Sequence, residues 1–386
     1  MTGIERLRIR NYRVLKDIEL DGLTPVTVLL GPNGSGKSSL IDAVQILLDA
    51  SGGGLAAAWA RRGGLAEIRS REAEGPVEIE LDCRVGEDFF AYRLVLDEED
   101  DAPVVTEEKL FWRGSGQADG VDLLDLRRGT GTARVPGNAS GESVRLASPH
   151  VLGVDAVGQF ANHALTATFL TFVSRFQLSN LDIGKMRLGT RSPRGSVRLD
   201  PAGDNLAFRV QYLQEQRPDV WSQIIQSLRR YVPGLDNFVP VRLGDGSQIV
   251  LLREKGVEEP ILPDNISDGT LKLLGYLVAL RDPASVLLLE EPENQVHPGL
   301  HFPLAEEIGA YAASGQVIVA THSPRFIDAM RPDEVWMLSR GEDGFAKVDR
   351  AADLPRLVEM VESGALLGDL WSEGYFRVGD PLAGQT

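Results

Sequence analysis

Residues 26–48 read VTVLLGPNGSGKSSLIDAVQILL. The stretch falls into three parts. Val26 to Leu30 is continuously apolar and β-rich, which predicts a strand buried on both faces. Lys37 to Leu48 sets Leu40, Ile41, Val44, Leu47 and Leu48 on one helical face. Between them, Gly31 to Ser39 fits the spacing G-x-x-x-x-G-K-[ST] through Gly31, Gly36, Lys37 and Ser38. Glycines at 31, 34 and 36 let the backbone curl so that its N–H groups face phosphate oxygens. Asn33, Ser35 and Ser39 complete the loop, and the helix start adds partial positive charge. Lys37 has the reach for the β and γ phosphates, and the Ser38 hydroxyl suits Mg²⁺.

A loop of this kind needs a carboxylate at the end of a neighbouring strand to organise the metal. Residues 287–298, LLLEEPENQVHP, supply it. Glu290, the first charge off the strand, is placed for the Mg²⁺ shell. Glu291, one residue on, can hold and polarise an attacking water. Two further segments belong with these. Asn265 to Thr270 (NISDGT) puts Ser267 at a helix N-cap, with Asp268, Gly269 and Thr270 in the first turn. Such an end offers a hydroxyl and free N–H groups to an anion. Ala320 to Pro324 (ATHSP) follows the apolar strand VIVA. His322 therefore emerges where ligands sit in α/β sheets and is a candidate contact for a γ-phosphate.

Taken together, these segments resemble an ABC-type ATPase head. The order is Walker A (Gly31 to Ser39), signature (Ile266 to Thr270), Walker B with a catalytic glutamate (Val286 to Glu291), D-loop (Asn294 to Pro298) and H-loop (His322). The opening LRIRNYRVLKDIEL resembles the RecF/SMC-like branch, and EEPENQVHP with ATHSP is similar to the AAA-21 "predicted ATPase" families, which include ATPase subunits of phage-defence systems. The resemblance implies two heads sandwiching two ATP molecules, with Ser267, Asp268 and Gly269 of one protomer completing the site on the other's Lys37. It also implies catalysis by Glu291, Lys37 and His322, and metal binding by Ser38 and Glu290. The signature here is ISDGT, not LSGGQ. A Q-loop glutamine is expected, with Gln159 and Gln177 both open. Tyr12 reads better as a packed aromatic than as an adenine contact.

The fold class expected is α/β, a P-loop NTPase of ABC type. It would combine a mixed central sheet, an antiparallel β lobe and a helical insertion. The expected parts are 1–112, 113–262 and 263–386. Residues 113–149 read as loops with short strands, and 155–231 as mostly helical. The acidic run Asp97 to Asp101 reads as a solvated hairpin tip.

Composition narrows the function. The 386 residues carry 40 Lys and Arg against 56 Asp and Glu, a formal charge of −16. Such a chain does not bind polyanions wholesale, and any nucleic-acid contact needs a local patch or a basic partner. Lys185, Arg187, Arg191, Arg194 and Arg198, free of intervening acids, form one candidate for DNA. The single Cys83 excludes an internal disulfide, and no signal peptide or long apolar run appears, so the expected compartment is the cytoplasm, without membrane contact. His297 and His301 have a metal-like spacing, but Pro298 and Gly299 interrupt the helix it requires. Asp97, Glu107 and Lys109 fit a loose nuclease pattern inside a predicted strand pair and are set aside. The expected function is an ATP-driven switch, homodimeric on ATP, serving DNA maintenance or phage defence with DNA or a partner nuclease or toxin. The alternative is a non-DNA regulatory ATPase that scaffolds a partner protein.

Overall fold

The computed structural model describes residues 2–376 apart from 52–53, 138–140, 191–197, 283 and 314. The chain divides into two compact units, residues 1–176 with 331–386 and residues 177–330. The first unit runs β1 (Gly3–Tyr12), β2 (Leu15–Asp21), β3 (Val26–Leu30), α1 (Lys37–Ala50), α2 (Leu55–Ala60), α3 (Leu65–Ile68), β4 (Val77–Val85), β5 (Asp88–Glu99), β6 (Ala102–Arg113), β7 (Val121–Arg127), β8 (Thr130–Ala133), β9 (Glu142–Arg145), α4 (Gly153–Val157) and α5 (Ala164–Val173). The second is entered through β10 (Phe176–Ser179) and holds α6 (Ile183–Leu188), α7 (Leu206–Gln216), α8 (Pro218–Tyr231), β11 (Leu235–Arg242), β12 (Gln248–Glu254), α9 (Asp268–Ala279), β13 (Val286–Glu290), α10 (His301–Tyr311), β14 (Gln316–Thr321) and α11 (Pro324–Ile327). The chain then returns to the first unit with β15 (Val335–Arg340), β16 (Ala346–Arg350), α12 (Pro355–Glu362) and α13 (Leu367–Ser372). This partition differs from the boundaries at 112 and 262 read from composition. The antiparallel strands run on past Arg113, and the last segment of chain goes back to where the first began.

In the first unit, an antiparallel sheet has the order β2-β1-β4-β5-β6-β7-β8-β9. Its alternation is plain in β1. Leu7 and Ile9 are buried, while Arg6, Arg8 and Arg10 pair across the other face with Glu19 and Glu80, with Asp17, and with Asp17 and Glu78. The glycine-rich stretch after Arg113 supplies β7 to β9 and so lengthens this sheet. The acidic hairpin end is not merely solvated. Glu98 accepts hydrogen bonds from the Trp59 indole and the Leu65 N–H, which ties the β5–β6 hairpin to α2 and α3.

A second anchor lies at Glu108, almost wholly buried on β6. Its carboxylate accepts the N–H groups of Gly153 and Val154 and the Tyr92 hydroxyl. It thereby holds the start of α4 against the sheet, and Phe169 of α5 packs 4.9 Å from the Tyr92 ring. Elsewhere in this unit β3 pairs parallel with β15 through Val28↔Val335 and Leu30↔Met337, and β15 pairs antiparallel with β16, a mixed arrangement.

In the second unit β13 and β14 are parallel, in register from Val286↔Gln316 to Glu290↔Ala320. Pro218 opens α8, whose Val220, Ile224, Ile225 and Leu228 are buried as the periodicity predicts. The segment after α9 is fixed by a buried ion pair. Asp282 meets the Arg209 guanidinium with 0% and 5% of the two side chains exposed, and also accepts the Leu199 N–H at 2.7 Å. No helix among the described residues is long and apolar enough to cross a membrane.

Candidate functional site

The phosphate loop belongs to the first unit. Val26 to Leu30 are all buried, and the chain leaves the strand at Gly31, where a Cβ would lie 2.2 Å from the Leu338 carbonyl oxygen. Only glycine fits there. Gly34 and Gly36 adopt φ of 79° and 114°, left-handed angles that an L side chain resists. Gly36 then hands over to α1, whose first turn carries no acid. The helix start is thus open to an anion in both charge and donors. The Ser35 hydroxyl is buried and has no hydrogen-bond partner among the described residues. Lys37 is buried, and its ammonium donates to the carbonyls of Gly31 at 2.6 Å and Pro32 at 3.0 Å. Ser38 is exposed, while Asn33 lies exposed on the turn.

Beside the loop lies a cavity of about 610 Å³ lined by Arg13, Arg62, Arg69, Arg71 and Arg340, with Phe345 on its wall. Arg340 connects the two features, since its Nε donates to the Gly34 carbonyl at 2.7 Å. Tyr12 does not enter this cavity's lining. It is fully buried, and its hydroxyl donates to Asp42 at 2.6 Å.

The carboxylates and the histidine belong to the second unit. Glu290 ends β13 and accepts the Asn180 side-chain amide at 2.7 Å. Glu291 turns the chain with φ of +43°, while its N–H still reaches the Ala320 carbonyl at 2.8 Å. That turn separates two adjacent glutamates. The Glu291 carboxylate lies 3.4 Å from His322 Nδ1, with both side chains partly exposed, and also accepts from the Asn294 amide. Glu293, which the sequence reading passed over, is buried behind them. It accepts the Thr321 hydroxyl and the His322 N–H, so it fixes the exit of β14 where His322 begins.

The third element is the start of α9. Ser267 caps it, accepting the Thr270 N–H at 3.2 Å. Gly269 sits against the turn after β13, where a Cβ would meet the Gln295 carbonyl at 3.0 Å. Asp268 is held aside by Arg187 at 2.7 Å. One turn further on, the buried Lys272 ammonium has its proton affinity lowered by desolvation, which the charges of Asp182, Glu291, Glu293 and Asp268 oppose.

Other expectations fare differently. Gln159 is exposed in the first unit, and Gln177 is buried with its amide 3.5 Å from Asp282. Asn180, three residues beyond Gln177, donates its side-chain amide to Glu290. Of the basic stretch, the described residues differ in placement. Arg187 is turned inward to protein acceptors, Lys185 is exposed, and Arg191 and Arg194 lie outside the described residues. His297 and His301 are engaged separately: His297 Nδ1 accepts the Gly299 N–H, and His301 meets Ser323 and the Val296 carbonyl.

Comparison with known proteins places the chain in a family. Residues 26–328 match the AAA_21 family, described as AAA domain, putative AbiEii toxin, Type IV TA system. Over 45 residues the chain is 42% identical to the OLD nuclease of Thermus scotoductus, covering 12% of this chain and 8% of that protein. Over 44 residues it is 48% identical to the DNA replication and repair protein RecF of Acinetobacter baylyi, covering 11% of this chain and 12% of that protein. These alignments span only a small part of the curated relatives. Among solved structures, an Smc head bound to the C-winged helix domain of ScpA matches with a TM-score of 0.56 at 14% identity, over 90% of this chain and 97% of that one. An Smc head with an extended coiled coil, bound to the C-terminal domain of ScpA derived from Pyrococcus furiosus, matches with a TM-score of 0.56 at 14% identity, over 94% and 100%. At such identity the likeness shows the fold. The chain belongs to the AAA_21 family, and its architecture is that of an ABC-type ATPase head of the RecF/SMC-like branch.

Proposed function

We propose that this protein is an ATP-hydrolysing switch that forms an ATP-sandwiched homodimer and serves DNA maintenance or phage defence. The observation that carries the reading is the approach of Glu291 to His322 at the ends of two parallel strands, in a chain that also bears an intact phosphate loop. In this reading the N–H groups around Gly34 to Ser39 cradle the phosphates, and Lys37 exchanges its carbonyl partners for β and γ phosphate oxygens. Glu291 holds the attacking water and draws on its proton. Asn294 and His322 fix the glutamate's orientation, and His322 contacts the γ-phosphate. The products are ADP and inorganic phosphate. Ser267, Asp268 and Gly269 complete the site of the second copy.

The donor set fits Mg²⁺, a hard cation that takes oxygen ligands. Ser38 offers an exposed hydroxyl in the first turn of α1, and Glu290 a carboxylate oriented by a neutral amide. When bound, Mg²⁺ would neutralise charge developing on the β and γ phosphates.

Sedimentation of Glu291→Gln tests the proposal. The variant should bind ATP, hydrolyse it at least a hundredfold more slowly, in the range of a lost catalytic group (~10²–10⁴), and sediment as a dimer only with ATP. A monomer at saturating ATP would refute the switch. A second reading, control of a partner protein without DNA, is favoured by the charge of −16 and by the inward turn of Arg187. DNA-stimulated hydrolysis separates the two.

A further inference from the structure

Arg187 belongs to a basic run, yet its guanidinium faces protein. In the second unit α6 lies directly on α9. A Cβ at Gly275 would meet Leu181 Cδ1 at 2.6 Å and Met186 Cε at 2.9 Å, so the segments touch where glycine leaves room. From the last turn of α6, Arg187 spreads over the residues that flank Ser267. Its Nη2 donates to the Ile266 carbonyl at 2.7 Å and to Asp268 Oδ1 at 2.7 Å, and its Nε donates to the Pro263 carbonyl at 3.1 Å. Three acceptors around one serine are thus held by a single planar fork, a geometry that lysine cannot reproduce.

The chemistry of the site explains the need. Asp268 in the first turn of α9 suits the helix dipole, but its charge opposes an arriving phosphate. Arg187 both neutralises that carboxylate and draws it aside. The carbonyls of Pro263 and Ile266 are likewise occupied, which fixes the backbone on the approach to Ser267. What remains at the helix start is the serine hydroxyl and backbone N–H groups.

We infer that Arg187 is the positioning residue of the signature segment, holding residues 263–268 in the form that accepts the second copy's γ-phosphate. The inference rests on the proposed role of Ser267 across the dimer. It removes Arg187 from any nucleic-acid surface.

The test uses Arg187→Ala and Arg187→Lys in the full chain, each also in the Glu291→Gln background. Amide exchange across 263–270 is measured without nucleotide. ATP affinity is measured under monomer conditions, and ATP-dependent dimerisation by sedimentation. Arg187→Ala should speed exchange in that segment and weaken dimerisation roughly ten- to a hundredfold, the range for losing hydrogen bonds to a charged group, with ATP affinity of the monomer retained. Arg187→Lys should recover part of the dimerisation through Asp268. Should Arg187→Ala fold poorly, Arg187→Lys and Asp268→Asn, each removing part of the fork, carry the same comparison. Unchanged exchange overturns the inference. Faster exchange with undiminished dimerisation also overturns it, provided Ser267→Arg blocks dimerisation as the proposed function requires. If Ser267→Arg dimerises normally, the reading of the signature itself fails and the inference falls with it.

Discussion

Replacing Glu108 by glutamine should remove a pH dependence from the stability of the first unit. Glu108 is 1% exposed, and burial raises its pKa from 4.5 to about 7, against the lowering effect of two backbone N–H groups and the Tyr92 hydroxyl. The neighbouring Asp155 charge pushes in the same direction as burial. The folded protein therefore holds this proton more tightly than the unfolded chain does. The resulting stability is fully present below the unfolded pKa near 4.5 and is lost as pH rises through about 7. At about 1.4 kcal/mol per pH unit, the loss approaches about 3 kcal/mol by pH 8. Glutamine keeps the shape and one carbonyl oxygen for the N–H groups, but it never ionises. Urea unfolding of both proteins at pH 5, 6, 7 and 8, followed through the first unit's transition, should show the gap between them shifting by about 2.5 kcal/mol in favour of the variant. Parallel stability curves across that range would refute the reasoning, because they would mean that Glu108 binds its proton equally in both states.

Two further outcomes follow from contacts in the second unit. Arg209→Ala leaves the Asp282 carboxylate buried without its cation and should destabilise the protein by about 3–5 kcal/mol at pH 7, read by thermal or urea unfolding; a loss below 1 kcal/mol would show the pair to be dispensable. Asn180→Ala removes the amide that orients Glu290 and should raise the Mg²⁺ concentration needed for half-maximal ATP hydrolysis roughly tenfold or more; an unchanged Mg²⁺ titration would count against that role.

The features legible in the sequence are those built from neighbours in the chain. A buried strand, three glycines and an amphipathic helix define the phosphate loop within one short stretch, and the cap at Ser267 is local in the same way. Glu290 and Glu291 are separable in advance because they lie on successive positions of a strand end. The missed contacts join distant segments. Asn180 reaches Glu290 and Arg187 reaches Ile266 across separations that no periodicity encodes. Charge type also misled. Glu98 lies in an acidic run that reads as solvated and Arg187 in a basic run that reads as a candidate for DNA, yet each is drawn in by hydrogen-bond partners from elsewhere in the fold. The two-unit partition escaped composition for a similar reason, since only tertiary packing returns residues 331–376 to the first unit.

The left-handed backbone at Glu291 has a consequence for how this protein tolerates change. A side chain with a Cβ at φ of +43° costs about 1–2 kcal/mol relative to a residue at ease there. Asparagine or glycine would relieve that strain while leaving the N–H to Ala320 in place. Selection for thermal resistance alone would therefore drift away from glutamate at this position, and the carboxylate beside His322 would vanish with it. Under the proposed mechanism, stability and turnover pull this one residue in opposite directions.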